Sequence, residues 1–260
     1  MKRDKAKALI AEHHPEAIRQ RLKSQPQASV VSDAVLGGID GCVTTFAVVA
    51  GAVGAGFPAS VALVLGFANL IADGFSMAVS NYESIKAKRE FGESVRLAEQ
   101  EHIEKIPTGE REEVRQIFQK KGFSGETLEK IVDTISSDRR LWIETMLIEE
   151  HGIQKSGPNP VKAAITTLIA FIFVGAIPLI PFMMQGMEKR LQFILSAGLA
   201  GIMFFSIGTM KSLVFAKPFL RSGASTLLTG GAAAGLILKI YILEPYFLCK
   251  PVNFIRPYTI

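Results

Sequence analysis

VSDAVLGGIDGCVTTFAVVAGAVGAGFPASVALVLGFANLIADGFSMAVSNY, residues 31–82, reads as two apolar spans joined by the turn Gly54-Ala55-Gly56-Phe57-Pro58. Each run exceeds the ~20 residues needed to cross a bilayer core. Each also carries a carboxylate inside the greasy stretch, Asp40 in the first and Asp73 in the second. A charge at membrane depth costs at least ~2.5–3.5 kcal/mol even on lenient insertion scales, so it marks function first. Asn69, Asp73, Ser76, Met77 and Ser80 fall on one stripe of a helix. That stripe faces protein or water. It reads either as a path for a small cation or as polar glue between helices. For Asn69 and Ser76 the two readings stand level; for Asp40 and Asp73 the cost of an ionised group favours the path.

Outward from this stretch, the charges fall in blocks. The chain is 48% hydrophobic with 20% charged residues. From Phe46 to Phe75 the only charge is Asp73, from Glu83 to Lys155 charges crowd together, and from Ala163 to Gly186 there are none. This is the pattern of an all-α integral membrane protein with one polar insert. Residues 1–30 are a basic leader, 31–82 a transmembrane hairpin, 83–157 a helical insert, and 158–260 three further spans with a tail. The last three spans run from about Val161 to Met184, Leu191 to Val214 and Gly223 to Leu248, giving five in all. Lys239 and Glu244 in the last of them are expected to snorkel outward.

The leader has no apolar h-region, so no cleavable signal is expected. It reads as a mixed helix over Lys5–Leu22, broken near Pro15, lying along headgroups; His13-His14 is read as a solvated pair. Cys42 and Cys249 are too few and too far apart for a disulfide framework. The net charge of +5 does not point to nucleic acid, because in a membrane protein the position of the cations matters more than their sum. With five spans, 24 of the 29 Lys and Arg fall on the side of the leader and insert. The positive-inside rule makes that side cytoplasmic.

Gly37 and Gly41 form a GxxxG that admits a close helix neighbour, and Gly230-Gly231-Ala-Ala-Ala-Gly235 reads as a second small-residue face. Pro178 and Pro181 are tolerated in the third span where neighbours satisfy the freed carbonyl groups. Asp33, near the interface, is expected to be solvated.

The insert reads as helices over about Glu83–Ile106, Glu110–Lys121, Gly125–Ser136 and Asp138–Gly152, the first continuing the second span. Ser124 is placed to cap the third of these, and Ser137 or Asp138 the fourth. Glu99 and His102 form Glu-x-x-His on one helix face, and Glu110 and Glu113 repeat that spacing. The last helix offers Met146, Glu149, Glu150 and His151. Carboxylate with imidazole suits iron(II), manganese(II) or zinc(II). The plain alternative is a solvated acidic surface, since Lys and Arg are interleaved throughout. A ferritin-like iron oxidase would need a second Glu-x-x-His, and none occurs. A structural membrane protein whose insert docks a partner is the third reading.

Taken together, Ile39-Asp40-Gly41, Asp73-Gly-Phe-Ser-Met77-Ala78, Gly175-Ala-Ile-Pro178-Leu-Ile-Pro181 and Gly230-Gly231-Ala-Ala-Ala, with a helical insert between spans two and three, resemble the vacuolar iron transporter family. The resemblance runs from Ser32 to Leu248. It implies a homodimer of five-span chains with the ion path at the dimer interface. It implies path ligands at Asp40 and Met77, and insert ligands at Glu99, Glu110, Glu113, Met146 and Glu150. This chain departs from the family in three places. Asn69 stands where a Glu is expected, with Asp73 one turn later. His102 replaces a Glu, and Leu147 a second Met.

The expectation is therefore a proton antiporter, not an enzyme, that moves iron(II) or manganese(II) out of the cytoplasm. No tightly bound cofactor is expected, with zinc(II) a further ion for the insert. Bilayer lipid, protons and divalent cations are its partners. A prokaryotic cell membrane fits best, with a vacuolar membrane as the alternative.

Overall fold

The computed structural model describes residues 10–23, 28–153, 157–184, 186–215 and 218–247, with backbone alone at 22–23, 28–29, 213–215, 233–234 and 236–247. Every element among the described residues is helical. They are α1 (Pro15–Lys23), α2 (Ala28–Gly54), α3 (Ala59–Lys105), α4 (Pro107–Lys120), α5 (Gly125–Ser137), α6 (Arg139–Glu149), α7 (Pro160–Ala176), a 3-10 turn (Ile177–Leu179), α8 (Ile180–Met183), α9 (Lys189–Phe215) and α10 (Phe219–Phe247). The chain forms two compact units, Met1–Gln25 with Tyr82–Pro160, and Pro26–Asn81 with Val161–Ile260.

The second of these units is the apolar one. Four stretches among the described residues are long and apolar enough to cross a membrane: Val30–Gly54, Ala59–Lys105, Pro160–Met183 and Lys189–Ser212. The fifth expected span falls on α10, whose side chains from 236 onward, Lys239 and Glu244 included, lie outside the described residues, as does Cys249. The core is Cys42, Phe46, Val49, Leu70, Phe171 and Phe204. Val64, Ile71 and Phe75 on α3 and Ile165, Ile169 and Phe173 on α7 point outward. Such surfaces suit a hydrocarbon solvent and would be costly in water.

Close backbone approach fixes this unit. A Cβ on Gly37 would stand 2.2 Å from the Thr167 carbonyl oxygen, and one on Gly41 2.4 Å from that of Phe171. The GxxxG of α2 therefore seats α7 against it, a contact no larger residue allows. The small-residue face on α10 divides: a Cβ on Gly230 would meet the Phe204 ring at 2.6 Å, whereas Gly231 faces open space. Pro178 and Pro181 turn α7 through the 3-10 segment into α8, and the Ser196 hydroxyl of α9 donates to the Pro178 carbonyl at 2.7 Å. This supplies the satisfaction that a proline in a span requires.

In the other unit, Val114, Val132, Trp142, Ile143 and Met146 form the core of the insert. α3 runs unbroken from its apolar half into this unit. α4 begins at Pro107, three residues before the expected Glu110, because proline at the first helical position loses no hydrogen bond. α6 stops at Glu149 rather than Gly152. Asp138 caps it, accepting from the amides of Arg140 and Leu141 at 2.9 and 3.2 Å. Ser124 occupies the N-cap of α5, but its side chain makes no capping bond. In the leader, residues 10–12 are helical, His13 and His14 sit in a turn, and α1 starts at Pro15, so the leader helix is broken at Pro15 as its sequence suggests. Of the expected leader helix, Lys5 to Leu9 lie outside the described residues.

Candidate metal centre

The last turns of α3 present Glu99 and His102 on one face. Only Ile106 separates α3 from α4, so α4 folds back at once and brings Glu110 to His102. His102 Nδ1 lies 3.4 Å from Glu110 Oε1. From the end of α6 come Glu150 and His151. Gly152 has φ +66°, and the Ile153 amide closes on the Leu147 carbonyl at 2.8 Å. This left-handed cap, which glycine adopts at no steric cost, ends the helix just past His151. His151 Nε2 stands 3.0 Å from Glu99 Oε1 and 3.7 Å from Glu150 Oε2.

Two groups of three ligands result, Glu99/His102/Glu110 and Glu99/Glu150/His151, each with donor atoms within 4.8 Å of one another. Glu99 belongs to both. Glu99 is 3% exposed and Glu110 5%. Oε2 of each is buried without a hydrogen-bond partner. A buried carboxylate oxygen lacking a donor is costly, and a cation supplies the missing charge. Burial, aided by the charges of Glu113 and Glu99, pushes the Glu110 carboxyl up to about 7. Burial, with Glu150 and Glu99 nearby, raises Glu113 as well. The centre is thus a set of crowded acids that accepts either protons or a metal ion. Met146 lies apart in character: it is fully buried in the apolar core beside Trp142 and Ile143.

The apolar unit holds Asp40, Asn69, Asp73 and Met77, all half-buried. Asn69 Nδ2 donates to the Thr44 hydroxyl at 3.3 Å, and that hydroxyl donates to the Asp40 carbonyl at 2.9 Å. Asn69 and Asp73 line an open cavity of about 670 Å³ with Ala47, Gly51 and Ala72. Met77 packs against the apolar core. Ser76 and Ser80, on the same helix stripe, are exposed. Asp33 is not merely solvated. Asn81 Nδ2 donates to its Oδ1 at 2.9 Å and to the Thr167 hydroxyl at 2.8 Å, which ties α2, α3 and α7 together.

The sequence model of the VIT family matches residues 31–240, a stretch that contains the centre and all four of these spanning-helix residues. The chain belongs to the VIT family. A "Vacuolar iron transporter" of Toxoplasma gondii is 31% identical over 212 residues, covering 78% of this chain and 70% of that protein. "Vacuolar iron transporter 1" of Oryza sativa is 28% identical over 233 residues, 89% of each chain. "Vacuolar iron transporter 1" of Arabidopsis thaliana is 29% identical over 179 residues, 68% of this chain and 69% of that one. VIT-family membership and the four long apolar helices make this an integral membrane protein. Two residues of this VIT-family chain find their place only in the fold. His151 stands next to Glu150 in the sequence, but only the turn at Gly152 brings it to Glu99. Asn81 is one polar residue among several on α3, and nothing local marks its bond to Asp33.

Proposed function

We propose that this protein carries iron(II), with manganese(II) as a second cargo, out of the cytoplasm in exchange for protons. It works as a homodimer of five-span chains, with leader and insert on the cytoplasmic side. Its relatives are named vacuolar iron transporters, and they support metal transport rather than enzymatic turnover. The observation that carries the reading is the pair of buried, unpartnered carboxylate oxygens on Glu99 and Glu110, set among two imidazoles.

The insert captures the ion. Glu110, with its carboxyl held at about 7, gives up its proton as the metal arrives. Glu113 and Glu150 add charge at the rim. Carboxylate and imidazole favour borderline ions, so zinc(II) also binds here. Met146 has no part in this step while it stays in the core; it contributes only if its side chain turns out. In the spans, Asp40 and Asp73 replace the water shed by the cation. The Met77 thioether adds a soft contact that suits iron(II) better than magnesium(II). Asn69 orients Thr44 and lines the cavity without adding charge. A path carboxylate must lose its proton to take the ion and regain one to release it, which couples the two fluxes. The relatives' names support a vacuolar membrane, and the chain's basic flanks support cytoplasmic insert placement there or in a prokaryotic cell membrane.

Proteoliposomes loaded with a metal-sensitive dye test the coupling. Iron(II) uptake is expected to accelerate when the lumen is more acidic than the outside. Uptake indifferent to that gradient contradicts antiport. Purified protein given iron(II) is expected to consume no oxygen above the autoxidation rate.

A further inference from the structure

A second cavity lies wholly within the insert unit and is lined by none of the ligand residues of the acidic centre. It has a volume of about 1120 Å³. One wall is the α3 stripe Ile85, Lys88, Arg89, Gly92 and Arg96, spaced i, i+3, i+4, i+7 and i+11. The other is the α6 stripe Arg140, Glu144, Leu147 and Ile148, with Ile153 and Pro158 at the base and rim. Gly92 lets the base close in: a Cβ there would touch Ile153 at 3.3 Å. Arg89 donates to the Pro158 carbonyl at 2.8 Å and fixes the rim.

Two features of the lining name a ligand class. Four cations line it with two carboxylates; Arg96 pairs with Glu93 at 3.9 Å and Arg140 with Glu144 at 3.1 Å, so Lys88 and Arg89 carry its net positive charge. It is also greasy, and Phe91 (63% exposed) and Ile148 (47% exposed) present bare apolar surface beside the charges. The occupant is an anion with an apolar body. The basic leader is the wrong sign to fill it, with seven Lys and Arg in its first 23 residues. Position favours lipid. The apolar half of α3 ends near Tyr82, an interfacial residue type. Lys88 follows six residues later on the same unbroken helix, about 9 Å of rise, which is within reach of the headgroup layer.

We propose that this cavity binds one anionic phospholipid from the cytoplasmic leaflet. Lys88 and Arg89 hold its phosphate, and Ile85 and Ile153 cover its upper carbon atoms. The site is independent of the cargo and of the direction of flux.

Native mass spectrometry of the full-length protein, released from nanodiscs of mixed phosphatidylglycerol and phosphatidylcholine, tests it. Wild type is expected to retain phosphatidylglycerol over phosphatidylcholine, near one per chain. Lys88→Gln with Arg89→Gln is expected to lower that retention about tenfold while leaving metal binding at the acidic centre unchanged. Equal retention of the two lipids by wild type, which needs no variant to fold, overturns the proposal. Displacement of the lipid by millimolar inorganic phosphate or glycerol phosphate also overturns it, because it makes the site one for soluble anions. So does efficient disulfide formation between two copies of a Lys88→Cys variant in lipid, which makes the cavity an interface between chains.

Discussion

The acidic centre of the insert and the carboxylates of the spans are built on opposite principles. In the insert, three helix ends bring Glu99, His102, Glu110, Glu150 and His151 into contact within one chain. Two carboxylates there are nearly sealed from solvent, with an oxygen each left unpaired. In the spans, Asp40, Asn69, Asp73 and Met77 are half-buried, and Asn69 and Asp73 open on a broad cavity. On the proposed reading, the first is a preorganised trap and the second a surface with ligands spaced along it, a path that a second copy completes. A trap needs affinity, whereas a path needs sites weak enough to leave. This contrast decides where substitutions should act.

The sharpest break comes at Glu99, the residue both ligand groups share. Glu99→Gln is expected to weaken zinc(II) or iron(II) binding by about 100-fold, since it removes an anionic ligand from two groups at once. Calorimetry on the detergent-solubilised protein reads this directly. Flux at saturating metal should persist, and its complete loss would merge the two regions into one site. A smaller effect, about tenfold, is expected for His151→Ala, which touches one group only. Cobalt(II) spectra check it, because loss of an imidazole ligand shifts the visible bands. If the spectrum stays unchanged, His151 is only a partner of Glu99.

The pH dependence sharpens the same contrast. Burial raises the Glu110 carboxyl from 4.5 to about 7. In the metal-free fold its proton is therefore stabilising, fully so below about pH 4.5, and that contribution is lost as pH rises through about 7. Metal affinity runs the other way: it rises up to about pH 7 and then levels, because the ion must displace the proton. Glu110→Gln should flatten both the melting-temperature profile and the affinity profile. The smallest effect is expected at Met77→Leu, a few-fold drop in iron(II) flux with manganese(II) flux nearly unchanged, since a thioether matters least to the harder ion.

Much of the fold was legible because the bilayer is a demanding solvent. Long apolar runs had to be spanning helices, and the GxxxG at Gly37 and Gly41 had to meet a close neighbour, which proves to be α7. The continuity of α3 was legible too, because no glycine pair or proline interrupts it between Ala59 and Lys105. The pairing of Glu99 with His102 followed from helical spacing alone. What was hidden depends on turns. Pro107, which falls between two expected helices, starts α4, and that immediate reversal carries Glu110 to His102. Gly152 looked like part of α6 yet ends it, and the left-handed turn sets His151 against Glu99. The family resemblance points to Met146 as a ligand; its thioether lies among apolar side chains, on the α6 face it shares with Trp142 and Ile143.

Iron(II) flux through Asp40→Asn with Asp73→Asn, in the same proteoliposomes as wild type, tests the central claim most directly. Flux should fall at least about 100-fold while calorimetric binding at the insert stays at the wild-type value, because a neutral amide repays far less of the cation's lost hydration. Undiminished flux in that double variant would contradict the account.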